Sequence, residues 1–267
     1  MNRTGLMIAL GVAVVVGVVF GLHPRLDLAI SDFFFDKVHK DFTMGHPPGI
    51  AYARDGARTI EALLVAPAVV AILLKLLRPR RRMLIPGRAA IFLVTTLALA
   101  PGIVANVILK DMWGRPRPID VTVFNGADPF VPWWDPRGVC PKNCSFVSGE
   151  ASAAFWTLAP AALAPAPWRP LAYAGALAFG ATMGLVRMAG GGHFFSDTAF
   201  AGVFTFLIVW TVHGLIFRWR ATRWSDAGVE RAFERIAGPP HEAVMRLLGR
   251  RPAAARPGAG TEERPRS

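Results

Sequence analysis

Apolar residues in this chain are concentrated in six runs, and most polar residues lie in the segments between them. The runs fall near residues 5–22, 59–77, 89–109, 151–168, 170–186 and 198–217. A helix that crosses the hydrocarbon core of a bilayer needs roughly 20 apolar residues, with a lower limit of about 17. The fourth and fifth runs are therefore marginal in length. The pattern predicts an all-α fold, an integral membrane six-helix bundle, rather than a soluble helical domain.

The placement of arginine between the runs predicts the orientation of the bundle. Arginine is in excess after the second run and after the sixth, whereas basic and acidic residues balance between the first two runs. Excess Lys and Arg mark the cytoplasmic side. We therefore expect both termini to be cytoplasmic and the segments 23–58, 110–148 and 187–197 to face outward. Residues 21–24 offer no small-x-small cleavage site, so the first run is predicted to be an uncleaved span.

Composition and charge predict a membrane domain followed by a tail, and they argue against a nucleic-acid partner. The chain is 53% hydrophobic and carries a formal net charge of +12. The charge follows the membrane topology without an aromatic-basic groove pattern, so no nucleic-acid partner is expected. Residues 1–220 are predicted to form the membrane domain and 221–267 a basic tail. Within the tail, 225–250 is amphipathic, typical of a helix on the inner leaflet or of a solvated or oligomer-packing helix. Residues 252–267 are predicted to be disordered, and no pattern indicates the oligomeric state.

The end of the fifth run and the start of the sixth carry the first candidate chemistry. Arg187 is followed by the glycines 190–192, by His193 and, four residues later, by Asp197. One helical turn separates the last two, so we expect them to face the same side. A carboxylate that binds one imidazole nitrogen leaves the other free as a nucleophile. The glycines would let backbone N–H groups approach an anion. A helix-capping pair beside a flexible loop would explain His193 and Asp197 alone, but not the other polar clusters.

Two further polar clusters lie at the ends of runs that are predicted to face the same side. Lys110 ends the third run, and Arg117-Pro118 follows it; both cations suit phosphate oxygens. Ser148, Gly149 and Glu150 precede the fourth run, where the free N–H groups of a helix N-terminus would bind an anion. Taken singly, a snorkelling lysine with a loop arginine, or a plain serine cap, would suffice. Metal binding is not expected, because Lys110, Arg117 and Arg187 would repel a divalent cation.

Cys140 and Cys144 are the only cysteines in the chain, and both fall in the second predicted outer segment. In an oxidising compartment such a pair is typical of a local disulfide. Zinc is a weaker alternative, because no histidine is close to the pair in the sequence. We expect the disulfide to fix geometry near Ser148 rather than to add much global stability.

The combined pattern Lys-x6-Arg-Pro, Ser-Gly and Arg-x5-His-x3-Asp resembles the type-2 phosphatidic acid phosphatase family over roughly residues 60–217. The resemblance implies six helices around an outward-facing, metal-independent and cofactor-free phosphatase site. It implies that His193 attacks phosphorus to form a phosphohistidine and that Asp197 orients it. The implied phosphate-binding residues are Lys110, Arg117, Ser148, Gly149 and Arg187. Soluble vanadate-dependent haloperoxidases share the pattern, but the predicted spans argue against that role.

The chain departs from the family pattern at Glu150. The family has Pro-Ser-Gly-His in the second motif, with the histidine as general acid, whereas here residues 147–150 are Val-Ser-Gly-Glu; Val186 also replaces a usual serine. Three interpretations of Glu150 stay open. It replaces the acid, although a free Glu has a pKa of about 4.3; or the leaving group needs little protonation; or catalysis has been lost and the protein only binds lipid phosphates.

The sequence thus predicts a lipid-phosphate phosphatase of a bacterial inner membrane with its site facing the periplasm. The candidate substrates are polyprenyl (undecaprenyl) pyrophosphate, lipid A and phosphatidate-type lipids. Glu150 is counted among the catalytic residues, with a preference for altered leaving-group chemistry. The alternative is a catalytically impaired lipid-phosphate binding or transport protein, which would leave His193 and Asp197 without a purpose.

Overall fold

The computed structural model describes residues 1–44 and 48–248, and most of them are helical. Five helices are long and apolar enough to cross a membrane: Arg3–Leu22, Pro48–Leu77, Gly87–Met112, Arg169–Ala189 and Phe195–Arg218. A short antiparallel hairpin pairs residues 35–36 with residues 41–42, with Phe35 opposite Phe42. In chain order the elements are α1 (Arg3–Leu22), α2 (Arg25–Asp32), β1 (Phe35–Asp36), β2 (Asp41–Phe42), α3 (Pro48–Leu77), α4 (Gly87–Met112), α5 (Gly149–Phe155), α6 (Leu158–Leu163), α7 (Arg169–Ala189), α8 (Phe195–Arg218) and α9 (Asp226–Leu247).

The fourth apolar run differs from the expected single span, so the described residues contain five candidate spans instead of six. It forms α5 and α6, which are seven and six residues long. At about 1.5 Å rise per residue each covers only about 10 Å, far less than the ~30 Å hydrocarbon core. Proline 160 has no N–H for the carbonyl of Trp156, and its ring crowds that carbonyl. The Trp156 carbonyl instead accepts from Ala159 N at 2.8 Å, and the helix breaks there.

Helix α5 lies in the interior of the bundle, where it packs against α7 and α8. Its small side chains allow this close approach: Ala151, Ser152 and Ala154 are all buried. The two polar groups nearby are paired, because the hydroxyls of Ser152 and Thr205 lie 2.8 Å apart. Burial of α5 fixes the position of its N-terminal residues, which are the second motif of the sequence.

The tail begins with an amphipathic helix, α9, as the pattern predicted, and this helix packs against α3 and α4. Lys75 of α3 pairs with Glu234 at 2.8 Å, and Arg88 of α4 pairs with Asp226 at 2.9 Å. Val229 is buried against the start of α4, whereas Leu247 is exposed. The first part of the tail is therefore docked on the bundle. The segment 252–267, predicted to be disordered, lies outside the described residues.

Candidate active site

A polar cavity of about 370 Å³ opens at the end of the bundle where α4 and α7 finish their apolar runs. This volume falls in the range of ordinary small-molecule sites. It contains five of the residues that the sequence analysis selected. The lining residues are Arg54, Ala57, Arg58, Glu61, Asn106, Lys110, Arg117, Asn143, Gly149, Glu150, Ala153, Met183 and Arg187.

The other three selected residues lie behind the cavity. Ser148, His193 and Asp197 are fully buried and do not line it. The Ser148 hydroxyl caps α5 by accepting a hydrogen bond from Ala151 N at 3.3 Å, so in the free protein its oxygen has the role of a plain helix cap. The structure thus brings the three motifs together in two layers.

Glycines let the layers approach each other closely. A Cβ atom at position 192 would lie 2.4 Å from Nη2 of Arg187, so glycine leaves room for the Arg187 guanidinium where it lies against this loop. A Cβ atom at position 149 would lie 2.4 Å from Oδ1 of Asn106, a residue of the π-helical part of α4. These contacts hold Arg187 and the start of α5 against the cavity.

His193 is oriented by a backbone carbonyl rather than by Asp197 directly. Its Nδ1 lies 2.7 Å from the Ser145 carbonyl oxygen, which can only accept, so Nδ1 carries the proton. The Asp197 carboxylate is 3.9 Å from Nδ1, too far for a hydrogen bond. The expectation of a direct His193–Asp197 hydrogen bond is therefore wrong. His193 precedes α8, and the Asp197 carboxylate instead accepts from Phe194 N and from the Ser145 hydroxyl.

The Nε2 atom of His193 keeps its lone pair and points toward the cavity side, 3.8 Å from Oε2 of Glu150. Burial lowers the pKa of His193 more than the neighbouring carboxylates of Glu150 and Asp197 raise it. An ordinary histidine has a pKa near 6.5, so this imidazole is neutral at pH 7. A neutral, tautomer-fixed imidazole has the electronic state that a nucleophile needs.

A fully buried ionic network supports this arrangement from behind, and we call it the scaffold cluster: Asp27, Arg115, Ser145, Ser196 and Asp197. Arg115 is fully buried and forms ion pairs with Asp27 at 2.8 Å and with Asp197. Its Nε donates to the Val131 carbonyl, and its guanidinium lies 4.3 Å from the centre of the Phe194 ring. Ser196 donates through both its N–H and its hydroxyl to Asp27. Every charge in this cluster has a partner.

None of the sequence motifs indicated this network. Arg115 lies two residues before Arg117, and spacing favoured the latter; Asp27 lies 88 positions from Arg115 along the chain. A pattern of local spacing carries no signal for such a distant pair. Arg115 lies between Lys110 and Arg117 of the first motif, and its buried side chain holds Asp197 of the third motif in place.

The charged residues that face the cavity form the second group, which we call the cavity cluster: Arg54, Lys110, Arg117, Glu150 and Arg187. Glu150 Oε1 lies 3.0 Å from Arg54 and 3.7 Å from Arg187, and Oε2 lies 4.0 Å from Lys110. Burial alone raises the pKa of Glu150, but the neighbouring groups, the cations Arg187 and Lys110 among them, lower it more. The group is therefore a carboxylate at neutral pH.

Arg54 is a further residue of the site that the sequence motifs did not include. It lies near the start of α3, where Arg54, Arg58 and Glu61 line the cavity. The helix is long and apolar enough to span a membrane, and ionisable residues in such a segment are energetically costly and usually functional. Their spacing of three to four residues along one helix face was the available signal.

The disulfide loop supports the edge of the cavity. Cys140 and Cys144 are bonded, with their Cα atoms 5.8 Å apart. Cys144 N donates to the Lys110 carbonyl at 2.9 Å, and the Asn143 carbonyl accepts from Nη2 of Arg117 at 2.6 Å. The loop therefore holds Arg117 beside the end of α4.

Comparison with known proteins agrees with the geometry. The chain is 34% identical over 220 residues to the lipid A 4'-phosphatase of Francisella tularensis subsp. novicida, which covers 82% of this chain and 98% of that protein. It is also 34% identical to the lipid A 4'-phosphatases of Rhizobium leguminosarum, over 193 residues, and Rhizobium etli, over 199 residues. Each alignment covers 67% of this chain, and 82% and 74% of the respective relatives. No solved structure matches the chain.

The family match spans all three motifs, from the middle of the bundle to the start of the tail. Residues 89–224 match the PAP2 superfamily. This range includes Lys110 and Arg117, then Ser148 to Glu150, then Arg187 to Asp197. With its apolar helices and this cavity, the chain is an integral membrane phosphatase that belongs to the PAP2 superfamily.

Proposed function

We propose that this phosphatase hydrolyses the phosphate of lipid A through a phosphohistidine at His193, with the cavity open to the periplasm. The single observation that carries the mechanism is the free Nε2 of a neutral, oriented imidazole directly behind a cavity lined by cations. The choice of lipid A rests on the names of the relatives that align with most of the chain. Polyprenyl pyrophosphate and phosphatidate-type lipids are the substrates to compare with it.

The chemistry follows in two balanced steps. Nε2 of His193 attacks phosphorus, the bond from phosphorus to the lipid oxygen breaks, and that oxygen takes a proton from solvent in the open cavity. Water then attacks the phosphohistidine and gives a proton back to solvent, the phosphorus–nitrogen bond breaks, and inorganic phosphate leaves with neutral His193 regenerated. Lys110, Arg117 and Arg187 neutralise the charge on the phosphoryl oxygens in both steps. We assign Ser148 and Gly149 to the same phosphate through the family motif.

Asp197 acts on His193 through the scaffold cluster. As Nε2 bonds to phosphorus the imidazole becomes positive, and the Ser145 carbonyl and the buried Asp197 carboxylate stabilise that charge. Arg115 holds the Asp197 carboxylate in position through their ion pair. Asp197 is therefore proposed as a positioning and charge-stabilising residue.

Phosphate release from purified lipids tests the function. The full chain in detergent is incubated with lipid A, a polyprenyl pyrophosphate and phosphatidate, and inorganic phosphate is measured. We expect release from lipid A to exceed release from the other two. Movement or binding of lipid with no phosphate released from any of the three would replace the proposal with the binding or transport alternative.

A further inference from the structure

Glu150 lies where the proposed substrate phosphate has to bind. Its carboxylate contacts Arg54 and lies within 4.0 Å of Arg187, Lys110 and His193. Two of these residues, Lys110 and Arg187, are proposed phosphate ligands, and the third is the proposed nucleophile. One side-chain anion of the protein thus occupies the centre of the anion site.

The same carboxylate separates the nucleophile from the cavity. Glu150 lines the cavity, whereas His193 is fully buried and does not. In a reactive complex the attacked phosphorus lies about 3–3.5 Å from the attacking atom. Oε2 of Glu150 is already 3.8 Å from Nε2. A phosphoryl group and the carboxylate cannot both occupy this space, so Glu150 has to move when the phosphate binds.

The contacts of Glu150 leave several polar atoms without a hydrogen bond. Among the described residues, Nε of Arg54, Oε2 of Glu150, Nε of Arg187 and Nε2 of His193 are buried and find no partner. Buried polar atoms of native proteins are nearly all paired. Two of the four, the Nε–H groups of Arg54 and Arg187, are donors without an acceptor on either side of Glu150. Both indicate a ligand with more acceptor oxygens than one carboxylate offers.

We propose that Glu150 is a built-in anion that holds the phosphate position in the free protein and exchanges with the substrate phosphate, which Arg54 then binds. This inference rests on the proposed function for the identity of the exchanging anion. Before exchange, Glu150 offsets part of the positive charge of Arg54, Lys110 and Arg187. After exchange, the phosphate takes those cations, and the path from phosphorus to Nε2 is open.

Arg54 gains a role that the family motifs do not assign. Its partner in the free protein is Glu150, at 3.0 Å. When the carboxylate leaves, an unpaired guanidinium beside a phosphate forms a charge-assisted contact. In this proposal Glu150, which stands in place of the family histidine, leaves Arg54, and the substrate phosphate then takes its position beside Arg54.

Inorganic phosphate binding tests the exchange without requiring turnover. Orthophosphate affinity is measured by calorimetry on the full chain in detergent, for the wild type, Glu150→Gln and the control Glu242→Gln. Glu242 lies on α9 and pairs with Arg80. We expect Glu150→Gln to bind phosphate at least about tenfold more tightly than the wild type, a change of about 1.4 kcal/mol in binding free energy.

The control should bind as the wild type does. Equal or weaker binding by Glu150→Gln overturns the exchange.

A double-variant cycle tests Arg54 separately. In the Glu150→Gln background, Arg54→Gln should weaken phosphate binding about tenfold, because a phosphate ligand is lost. No change in that background would mean that Arg54 serves Glu150 only, and the Arg54 assignment would be wrong. If Glu150→Gln is not recovered as folded protein, Glu150→Ala replaces it with the same expected result.

Failure of the exchange and failure of the proposed function give different results. Lipid A hydrolysis by the wild type with equal phosphate affinities in wild type and Glu150→Gln keeps the function and overturns the exchange. Tighter phosphate binding by Glu150→Gln, with no phosphate released from lipid A by either protein, keeps the exchange and overturns the function.

Discussion

The two charged clusters differ in how completely the protein satisfies them. In the scaffold cluster, Arg115, Asp27 and Asp197 are sealed from solvent, and each has at least two polar partners. In the cavity cluster, Glu150 is shared by cations that are mostly beyond hydrogen-bond distance, and buried polar atoms have no partner. We interpret the fully paired scaffold cluster as structural and the incompletely paired cavity cluster as the place where a ligand binds. His193 joins the two: Nδ1 faces the scaffold and Nε2 faces Glu150.

The largest effect is expected where the two clusters meet. His193→Ala should reduce phosphate release by about 10⁴-fold or more, because removal of a nucleophile removes the covalent route. The protein should still fold, with a moderately lower melting temperature because a fully buried side chain is truncated. Turnover and thermal unfolding are measured on the same preparation, and His39→Ala, at an exposed histidine, is the control. Near-wild-type turnover in His193→Ala would refute the nucleophile assignment.

The second-largest effect is expected in the scaffold cluster and concerns the stability of the fold. Arg115→Met leaves the Asp27 and Asp197 carboxylates buried without their cation, and breaking a buried ion pair in this way destabilises a protein by about 3–5 kcal/mol. We expect a large fall in melting temperature or a loss of folded protein, together with loss of turnover.

Arg137→Met is the matched control for Arg115→Met. Arg137 pairs with Asp135 in an exposed loop, and exposed pairs add little to stability. Its melting temperature should match that of the wild type. If Arg115→Met also melts like the wild type, the scaffold cluster has no structural role.

A smaller effect on rate is expected in the cavity cluster. Glu150 is a carboxylate in the free protein, and it becomes a competent acid only if it takes up a proton after the phosphate has displaced it. General acid catalysis contributes typically ~10²–10⁴-fold. Glu150→Gln should lower kcat by a comparable factor for lipid A and by less for a nitrophenyl phosphate, whose leaving group needs little protonation.

The two substrates distinguish the roles of Glu150. Equal kcat in wild type and Glu150→Gln with both substrates would show that Glu150 is no acid, and it would leave the exchange in the free protein untouched. Glu242→Gln serves again as the control for the same chemical change at a distant site.

The smallest effect is expected at the edge of the cavity. Replacing Cys140 and Cys144 by serine frees the loop that holds Arg117 through the Asn143 carbonyl. The closed loop is short, so the entropic stabilisation from the disulfide is modest. We expect a several-fold rise in KM with little change in melting temperature.

The same cysteines report the orientation of the cavity. A membrane-impermeant thiol reagent should label intact cells with a permeable outer membrane only after reduction. Labelling that requires a permeabilised inner membrane would place the loop in the cytoplasm and overturn the periplasmic assignment.

Local composition and spacing were enough to predict most of the helices and most of the residues that line the cavity. Five apolar runs form long helices. Each is hydrophobic enough for a bilayer, and a helix satisfies its backbone hydrogen bonds within its own segment. The motif spacing selected Lys110, Arg117, Gly149, Glu150 and Arg187, and all five line one cavity. Even the break in the fourth run has a local cause in Pro160, which a count of apolar residues overlooked.

The pairing of the buried charges, in contrast, depends on how the helices pack and could not be predicted from spacing along the chain. Arg115 binds Asp27 from α2 and Asp197 from α8, and Arg54 from α3 meets Glu150 from α5. The expected hydrogen bond between His193 and Asp197 is absent, since Nδ1 and the carboxylate are 3.9 Å apart. His193 lies before α8, and the carboxylate is held by Phe194 N and the Ser145 hydroxyl instead. A buried charge is stable only beside a partner, and which partner is adjacent depends on the packing of helices distant in the chain.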